Sequence, residues 1–509
     1  MNPHAGPGTL NRVVSLLPSA QNRLTCIRGG RRMQVPFSEL DGPVRAMRAL
    51  LHARGLRSGD RVGILGANSY EFIVLDLACL ASGLVSVPFD PAHPGEALAA
   101  ARALGVSVLF VDQEPAPAAG MQLLPLVVPE PAGEAGDPAP PTWTFGPDDM
   151  VTVKFTSGST QRPKAIAPRR QSVDATLEAV QEMFRHGPAD TVLVFLPLYL
   201  LQQRYWIYSA VLFGYDLVVV PPHHGVGALL RERPTVVMGV PEFYEKLMAA
   251  LAAETADAPD PSAVVREATG GRVRYLWTGS AAMRQETLDF YQRAGIPVYQ
   301  GYGTNETCIV AKNHPGANRP GSAGRVLPHQ EVIVEPDGHL LVRSGHPVSD
   351  RYLLADPDDD GATFLDGGVV ATGDLGYLDE DGYLFITGRR KELIVFPSGR
   401  KLHPSVIEDR LKAVPGVRHC MVYGADRPYL VALVDAAPPG PGEPELRAAL
   451  DEINRDLPYE AQVRAARVVP DGFSRENGTL TSQYKLKRAE IATRFSAEIS
   501  QLYQEADTT

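Results

Sequence analysis

Apolar and polar positions between residues 37 and 88 follow helical and strand periods in turn. Four elements are predicted there: helices at Leu40–Leu56 and Ser69–Ser82, and strands at Arg61–Leu65 and Val85–Pro88. Asn68 and Ser69 are candidate caps of the second helix, and Gly83 is a typical helix end. Helices that alternate with buried strands favour parallel sheets covered by helices.

A second pattern of alternating strands and helices runs from residue 151 to about residue 326. Its predicted strands are Thr191–Phe195, Leu217–Val220, Thr235–Met238, Arg274–Leu276 and Pro297–Tyr299. Between residues 331 and 386, short alternating strands and Asp-Gly pairs at 337–338 and 381–382 indicate β-hairpins. After Gly388 the pattern predicts a smaller α+β region.

These patterns predict an α/β fold with two domains. The large N-terminal domain, residues 1–388, should contain two α/β subdomains and a β-rich subdomain. The small C-terminal domain, residues 389–509, should be α+β.

Charge and cysteine content narrow the class of protein. The chain has 509 residues, a formal net charge of −10 and four cysteines without metal-ligand spacing. A negative chain lacks the basic field that nucleic acids require, and sparse cysteines suit a reducing cytoplasm. The longest apolar run, Val192–Leu201, is interrupted by Pro197 and is shorter than the roughly 20 residues of a membrane span. We therefore expect a cytoplasmic protein without a secretory signal or a membrane span.

A loop rich in hydroxyl groups follows the predicted strand 151–155. Its candidate phosphate-binding residues are Thr156, Ser157, Gly158, Ser159, Thr160 and Lys164. Hydroxyls, backbone amides and one lysine after a strand provide the donors and the cation that a polyphosphate needs. The Gly-Lys-Ser/Thr ending of the Walker loop is absent.

This loop resembles the phosphate-binding loop of the adenylate-forming superfamily, which includes acyl-CoA synthetases, peptide-synthetase adenylation domains and luciferases. Gln161 and Ala165 stand where that family usually has glycine, which is expected to stiffen the loop. The resemblance continues in the same order over nearly the whole chain. It implies ATP and Mg²⁺ as cofactors and a mobile C-terminal domain.

The segment Gly301–Thr307 resembles the family's Tyr-Gly-x-Thr-Glu segment, with Asn305 in place of threonine. By this resemblance Tyr302 lines the adenine and Thr304 lies near the α-phosphate. Glu306 would hold the Mg²⁺ ion, for which a carboxylate is a suitable hard-oxygen ligand.

Two further motifs resemble the parts of the family that bind ribose and turn the C-terminal domain. Asp374, in Thr-Gly-Asp, would accept hydrogen bonds from both ribose hydroxyls. Arg389 would contact the ribose, and Lys391 would be the hinge of the C-terminal domain. Gly399 would lie in the channel that admits a thiol.

Residues 481–488 resemble the family's Thr-x-x-Gly-Lys-x-x-Arg, which makes Lys485 the candidate catalytic lysine. Its ammonium group would bridge the attacking carboxylate and the α-phosphate. Tyr484 replaces the usual glycine, and Lys487 is the rival for the catalytic role.

The motifs around residues 196–204 and 476–488 resemble long-chain acyl-CoA synthetases more than peptide-synthetase domains. Leu200 stands where the family usually has a gating histidine. The candidate acid-pocket residues are Tyr199, Leu200, Tyr205, Trp206, Trp277, Gly279 and Gly303. Rigid aromatic walls favour an aryl, cinnamyl-like or medium-chain acid over a long-chain fatty acid.

The sequence therefore predicts an ATP-dependent ligase that forms an acyl-AMP, releases pyrophosphate and passes the acyl group to a thiol. Coenzyme A is the expected acceptor, and the phosphopantetheine of a carrier protein is the alternative. A diazotase-like enzyme, which adenylates nitrite for transfer to an aryl amine, is a second hypothesis. A non-catalytic binding relative is a third, motivated by the departures Gln161, Ala165, Asn305 and Tyr484.

Overall fold

A computed structural model describes residues 8–28, 31–113, 121–130, 142–155, 164–355, 357–396, 398–424, 427, 429–438, 440–481 and 484–506. The chain divides into two compact units. The described part of the first unit lies between residues 8 and 333 and between 341 and 371, and that of the second covers residues 334–340 and 372 onward. The α/β fold with a large and a small part is confirmed. The predicted boundary at residues 388 and 389 stays a prediction.

The first unit contains a nine-stranded sheet whose strands interleave with helices along the chain. In spatial order the strands are Arg325–Val326, Cys308–Lys312, Val298–Thr304, Tyr275–Thr278, Val236–Met238, Thr191–Val194, Asp216–Val219, Arg23–Arg28 and Arg31–Pro36. The central strands are parallel and the strands at both edges are antiparallel. The accompanying helices are Thr9–Leu16, Arg170–Phe184, Leu201–Phe213, Gly225–Glu232, Pro241–Asp257, Pro261–Ala268 and Gln285–Arg293.

Both faces of this sheet are buried along the strand Thr191–Val194. Val192 and Val194 pack into one hydrophobic core, whereas Leu193 and Phe195 pack into another. Side chains alternate between the two faces of a strand, so a strand covered on both sides is apolar at every position. The apolar run then leaves the strand, and a helix begins at Leu201.

A four-stranded parallel sheet forms the other α/β part of the first unit. Its strands, in spatial order, are Val85–Phe89, Arg61–Leu65, Val108–Val111 and Gln122–Pro125, and its helices are Asp41–Ala53, Tyr70–Ser82 and Pro94–Ala103. The predicted caps are confirmed, because the Ser69 hydroxyl accepts a hydrogen bond from the Phe72 amide and Gly83 is left-handed with φ 70°.

The β-rich region is confirmed between residues 325 and 389. After the edge strand Arg325–Val326 of the nine-stranded sheet, this region contains the strands Gln330–Val334, His339–Ser344, Phe364–Leu365, Val369–Leu378 and Leu384–Arg389. It also contains a short helix at Pro357–Thr363. Gly338 and Gly382, in the predicted Asp-Gly turns, have φ of 84° and 78°. Glycine adopts this left-handed conformation without steric cost.

The C-terminal part of the second unit is α+β, as predicted. A three-stranded sheet contains Val417–Tyr423, Leu430–Ala436 and Val463–Val468, and a two-stranded one contains Ile394–Val395 and Lys401–Leu402. The helices are Pro404–Leu411, Glu443–Asn454, Arg488–Arg494 and Ser496–Ala506. Two hydrophobic cores lie among these elements, one around Ile407 and Val434 and one around Val431 and Phe495.

Candidate active site

Two short strands bracket the candidate phosphate loop. Strand Lys154–Phe155 pairs antiparallel with Ala165–Ile166, and Thr156, Ser157, Gly158, Ser159, Thr160 and Gln161 lie outside the described residues. Ala165 is buried, and its amide donates to the carbonyl oxygen of Leu354 at 2.8 Å. At this position the strand accommodates a residue with a side chain where the resembled family has glycine.

Lys164 brings a cation to the end of that loop. Its Nζ lies 2.6 Å from Oδ1 of Asp359, and about 15% of the Lys164 side chain is exposed. Asp359 therefore holds the ammonium group that an anionic phosphate would otherwise attract. Sequence reasoning missed this carboxylate, because only the fold brings the helix Pro357–Thr363 to the loop.

The candidate metal ligand Glu306 lies in a tight turn between strands Val298–Thr304 and Cys308–Lys312. The Thr304 amide donates to Oγ1 of Thr307 at 3.0 Å, and the Glu306 amide donates to Oγ1 of Thr304 at 3.2 Å. A Cβ atom on Gly303 would lie 1.8 Å from the carbonyl oxygen of Cys308, so only glycine fits there.

Asn305 connects this turn to the phosphate loop. Its side-chain amide donates to the carbonyl oxygen of Phe155 at 3.4 Å, at the last described residue before the loop. A short polar side chain at position 305 thus retains a contact with the strand that carries the loop.

Tyr352 links Glu306 to Lys164. Its hydroxyl donates to Oε1 of Glu306 at 2.8 Å, and Nζ of Lys164 lies 5.1 Å from the centre of its ring. Burial and the adjacent Glu306 carboxylate raise the pKa of Tyr352, so the phenol stays protonated and donates. The sequence around Tyr352 offered no motif that would identify it.

In the second unit, Asp374 and Arg389 form an ion pair across two antiparallel strands. The two residues are register partners, and Arg389 Nε lies 3.0 Å from Asp374 Oδ1. Asp374 is buried at 4% exposure, whereas the Arg389 side chain remains 44% exposed. An oriented carboxylate beside an accessible guanidinium is suited to binding a diol such as ribose.

Lys485 lies beside the same pair. Burial and the Arg389 guanidinium lower the pKa of Lys485 to about 8, while the carboxylates of Asp374 and Glu392 act to raise it. Three residues from separate motifs thus come together within one unit. Lys485 shares its surroundings with the candidate ribose residues, as its predicted role requires.

The loop that carries Lys485 has an unusual backbone. Tyr484 has φ of 59°, a left-handed conformation that a bulky residue rarely adopts. The Lys485 amide donates to Oγ1 of Thr481 at 3.1 Å, and the Thr481 amide donates to the Lys485 carbonyl at 2.9 Å. The backbone at 484 therefore takes the conformation that the usual glycine of the resembled motif adopts most easily.

Arg488 anchors this loop to the core of the second unit. Its Nη1 and Nη2 lie 2.7 and 2.6 Å from the two carboxylate oxygens of Glu408, and its Nε lies 3.4 Å from Glu392. The Glu408 side chain is 3% exposed and also accepts from the Val422 amide at 2.9 Å. Sequence reasoning missed Glu408, because nothing near Pro404 resembles a motif.

The candidate acid-pocket residues of the first unit fall into two environments. The Tyr199 hydroxyl donates to Oδ2 of Asp90 at 3.0 Å, and Leu200 precedes the helix Leu201–Phe213. Tyr205, Trp206 and Trp277 are buried in one aromatic-rich core, with Trp206 edge-on to Trp277 at 5.3 Å between ring centres. Gly279 directly follows the strand Tyr275–Thr278, and Gly303 lies in the strand Val298–Thr304.

The candidate hinge and thiol-channel residues follow Arg389 along the chain. Lys391 is in the one-turn 3₁₀ helix Arg390–Glu392, directly after strand Leu384–Arg389. Gly399 has φ of 83°, and among the described residues no heavy atom beyond its chain neighbours lies within 4 Å of the position that a Cβ atom would take. The roles of both residues stay predictions.

Family models match most of the chain. The AMP-binding enzyme model matches residues 19–347, and the model of the AMP-binding enzyme C-terminal domain matches residues 391–507. The resemblance to the adenylate-forming superfamily is thereby confirmed.

Similar sequences and structures agree with these matches. The long-chain-fatty-acid–CoA ligase FadD15 of Mycobacterium bovis is 28% identical, with 92% of each chain covered. Feruloyl-CoA synthase of an Amycolatopsis species is 28% identical over 79% of this chain and 83% of that protein. The structure of ATP-bound MatB from Rhodopseudomonas palustris has a TM-score of 0.81 at 23% identity, covering 97% of this chain and 100% of that one. Among the described residues, no helix is both long enough and apolar enough to cross a membrane.

Proposed function

Because the chain belongs to the AMP-binding enzyme family, we propose that it is an ATP-dependent ligase that joins a carboxylic acid to coenzyme A through an acyl-AMP. One observation carries this proposal: Asp374, Arg389 and Lys485, which come from three separate motifs, meet in the second unit. A carboxylate that can bind a diol, next to a lysine whose pKa is lowered, is a suitable arrangement for holding the ribose of a nucleotide while its α-phosphate reacts.

In the first half-reaction, the carboxylate oxygen of the acid attacks the α-phosphorus and the bond to pyrophosphate breaks. The ammonium group of Lys485 would offset the charge that grows on the α-phosphate oxygens. With a pKa of about 8 it is mostly protonated at neutral pH, and neighbouring phosphates would raise that pKa further. Asp374, held by Arg389, would accept hydrogen bonds from the ribose hydroxyls. Tyr302 is proposed to line the adenine.

We propose that the triphosphate of ATP is bound with the help of Glu306, Thr304 and Lys164. The Glu306 carboxylate, oriented by the Tyr352 hydroxyl, is a hard-oxygen ligand of the kind that Mg²⁺ takes, and the ion would neutralise phosphate charge when bound. Lys164 would exchange Asp359 for a phosphate, and the amides and hydroxyls of residues 156–160 are proposed as further phosphate donors.

In the second half-reaction, the thiol sulfur attacks the acyl carbonyl and AMP leaves. Lys391 would be the hinge about which residues 389–509 turn, and Gly399 would line the entry of the thiol. The relatives named above as CoA ligases and synthases favour coenzyme A as the acceptor over the phosphopantetheine of a carrier protein.

For the acid we propose an aryl, cinnamyl-like or medium-chain compound. Tyr205, Trp206 and Trp277 support this, since all three are buried in one core and the centres of the two tryptophan rings lie 5.3 Å apart, which would leave little room for a long flexible chain. One relative is named for a long-chain fatty acid and another for ferulate, so the names of the relatives alone do not decide between these classes.

Pyrophosphate exchange tests the proposal directly. The purified protein should exchange pyrophosphate into ATP with cinnamate or octanoate, and Lys485→Ala should lose this activity while the matched variant Lys487→Ala retains it. Loss in Lys487→Ala alone would transfer the catalytic role to Lys487. Palmitate as the best acid would contradict the pocket assignment. AMP formation that requires nitrite and an aryl amine would replace acid activation with diazotase-like chemistry.

A further inference from the structure

Lys312 is a buried lysine at the end of strand Cys308–Lys312, with 1% of its surface exposed. Its Nζ donates to the carbonyl oxygens of Tyr299 at 2.8 Å and Thr278 at 3.1 Å. The same nitrogen lies 3.6 Å from the centre of the Trp277 ring. Backbone carbonyls and an aromatic face are favourable for an ammonium group, but they carry no net negative charge.

Lys312 differs in this respect from another fully buried cation in the described part of the first unit. Arg204 is 0% exposed, and its Nη1 lies 2.8 Å from the Asp76 carboxylate, so its charge is balanced. Burial lowers the pKa of Lys312 well below its usual value, and no charged group among the described residues acts to raise it. The fold supplies a counter-ion to Arg204 and none to Lys312 within the described part of the chain. A buried charge is normally paired, so a missing anion points to a ligand.

The position of Lys312 connects it to the proposed acid pocket. Trp277, which it contacts, packs edge-on against Trp206, and both are proposed pocket walls. A Cβ atom on Gly301 would lie 2.6 Å from Cδ and 3.3 Å from Nζ of Lys312. A Cβ atom on Gly279 would lie 3.7 Å from the Gly301 carbonyl oxygen. The Lys312 side chain therefore packs directly against Gly301, and the Gly301 carbonyl oxygen lies close to the candidate pocket residue Gly279.

We propose that Lys312 is a specificity-determining residue of the acid pocket, and that the preferred acid carries a second carboxylate at the end remote from the reacting carboxyl. The inference rests on the proposed acid-activating function and names its substrate class. Two N–H groups of the ammonium stay on the carbonyls of Tyr299 and Thr278, and the third turns from the Trp277 ring to the anion. At a buried position this pairing is strong, because little water screens the two charges.

Matched acids test this assignment. 4-Carboxycinnamate is compared with 4-methylcinnamate, and octanedioate with octanoate, by kcat/KM for pyrophosphate release. The wild-type enzyme should favour the dicarboxylate of each pair. Lys312→Met should reduce kcat/KM for the dicarboxylates by about 30-fold or more, because a buried charge pair loses one partner. The same variant should leave the monocarboxylates within about threefold of wild type.

Two further variants separate recognition from structure. Lys312→Gln keeps N–H donors near the carbonyls of Tyr299 and Thr278 but removes the charge, so it should show the same selective loss. Lys246→Met, at an exposed lysine of helix Pro241–Asp257, controls for the loss of one positive charge. It should leave the ratio of kcat/KM between dicarboxylate and monocarboxylate unchanged in both pairs of acids.

The pH dependence of KM provides a readout on the wild-type enzyme alone. The second carboxylate binds the protonated amine, whose pKa burial lowers in the free enzyme, so binding should take up a proton. KM for a dicarboxylate should therefore rise with pH relative to KM for its monocarboxylate partner. This difference should vanish in Lys312→Met.

The outcomes that overturn the inference differ from those that overturn the proposed function. Equal kcat/KM for both members of each pair in the wild type, or an equal loss for both in Lys312→Met, would reject the role of Lys312 and leave acid activation intact. If both Lys312 variants fail to fold, two measurements on the wild type still test the role of Lys312. They are the kcat/KM ratio within each pair of acids and the difference in the pH dependence of KM. If neither the monocarboxylates nor the dicarboxylates support pyrophosphate release, the proposed function itself is rejected.

Discussion

Replacing Lys485 by methionine should stabilise the folded protein while it abolishes adenylation. The folded protein lowers the pKa of Lys485 from 10.5 to about 8, chiefly through burial. That difference corresponds to at most about 3 kcal/mol of unfavourable free energy in holding the ammonium group. Because the side chain keeps some exposure to solvent, we expect a gain of about 1–2 kcal/mol in the free energy of unfolding at neutral pH.

The sign of this effect follows from the two pKa values. The lysine is charged in the unfolded chain up to pH 10.5 and in the folded chain up to about pH 8. The penalty is therefore complete below pH 8, decreases between pH 8 and 10.5, and is absent above that range. The stability advantage of Lys485→Met over wild type should narrow through the same window.

Urea unfolding at several pH values, together with pyrophosphate exchange on the same samples, measures both effects. Lys487→Met is the matched control, since it removes a lysine two positions away. A Lys485→Met protein that is less stable than wild type at neutral pH would refute the electrostatic reasoning, as would a stability difference that does not change with pH. Retained exchange would refute the catalytic assignment.

Three further changes test the surrounding contacts. Arg488→Met should lower the free energy of unfolding in urea by about 3 kcal/mol, because the buried Glu408 carboxylate loses its bidentate partner. The double variant Arg488→Met/Glu408→Leu should recover most of the lost free energy of unfolding. If it does not, the pairing of Arg488 with Glu408 is contradicted. Tyr352→Phe should raise KM for Mg-ATP several-fold in steady-state assays, since Glu306 loses a donor worth about 1 kcal/mol. An unchanged KM would remove Tyr352 from the site. Lys391→Pro should leave pyrophosphate exchange intact and slow thioester formation, because proline fixes φ at the proposed hinge. Equal loss of both half-reactions would argue against a hinge there.

Features that depend on neighbouring residues were predictable. The helix Tyr70–Ser82 begins and ends where Ser69 and Gly83 predicted, because a hydroxyl cap and a left-handed glycine act within a few residues. The Asp-Gly turns at 338 and 382 were predictable for the same reason. Helix ends were predicted less accurately: the helix predicted at Leu40–Leu56 spans Asp41–Ala53, since the last turn of a helix depends on packing.

Contacts between distant parts of the chain were not predictable. Tyr352 donates to Glu306, and Glu408 binds Arg488, although neither Tyr352 nor Glu408 belongs to a motif. Side-chain pairs of this kind depend on how strands and helices pack, and a single sequence contains no local signal of that packing.

The sequence by itself determined the superfamily and the order of its motifs, because the segments proposed to bind phosphate, to bind ribose and to supply a catalytic lysine each need particular residue types at short spacing. The tertiary structure alone decided which charges are buried and which partners they have. Lys312 illustrates the difference: in the sequence it is one lysine between Ala311 and Asn313, and only the pairing of three strands brings it over the Trp277 ring without an anion among the described residues. Burial and long-range pairing arise from the packing of whole elements, so they become visible only in the folded chain.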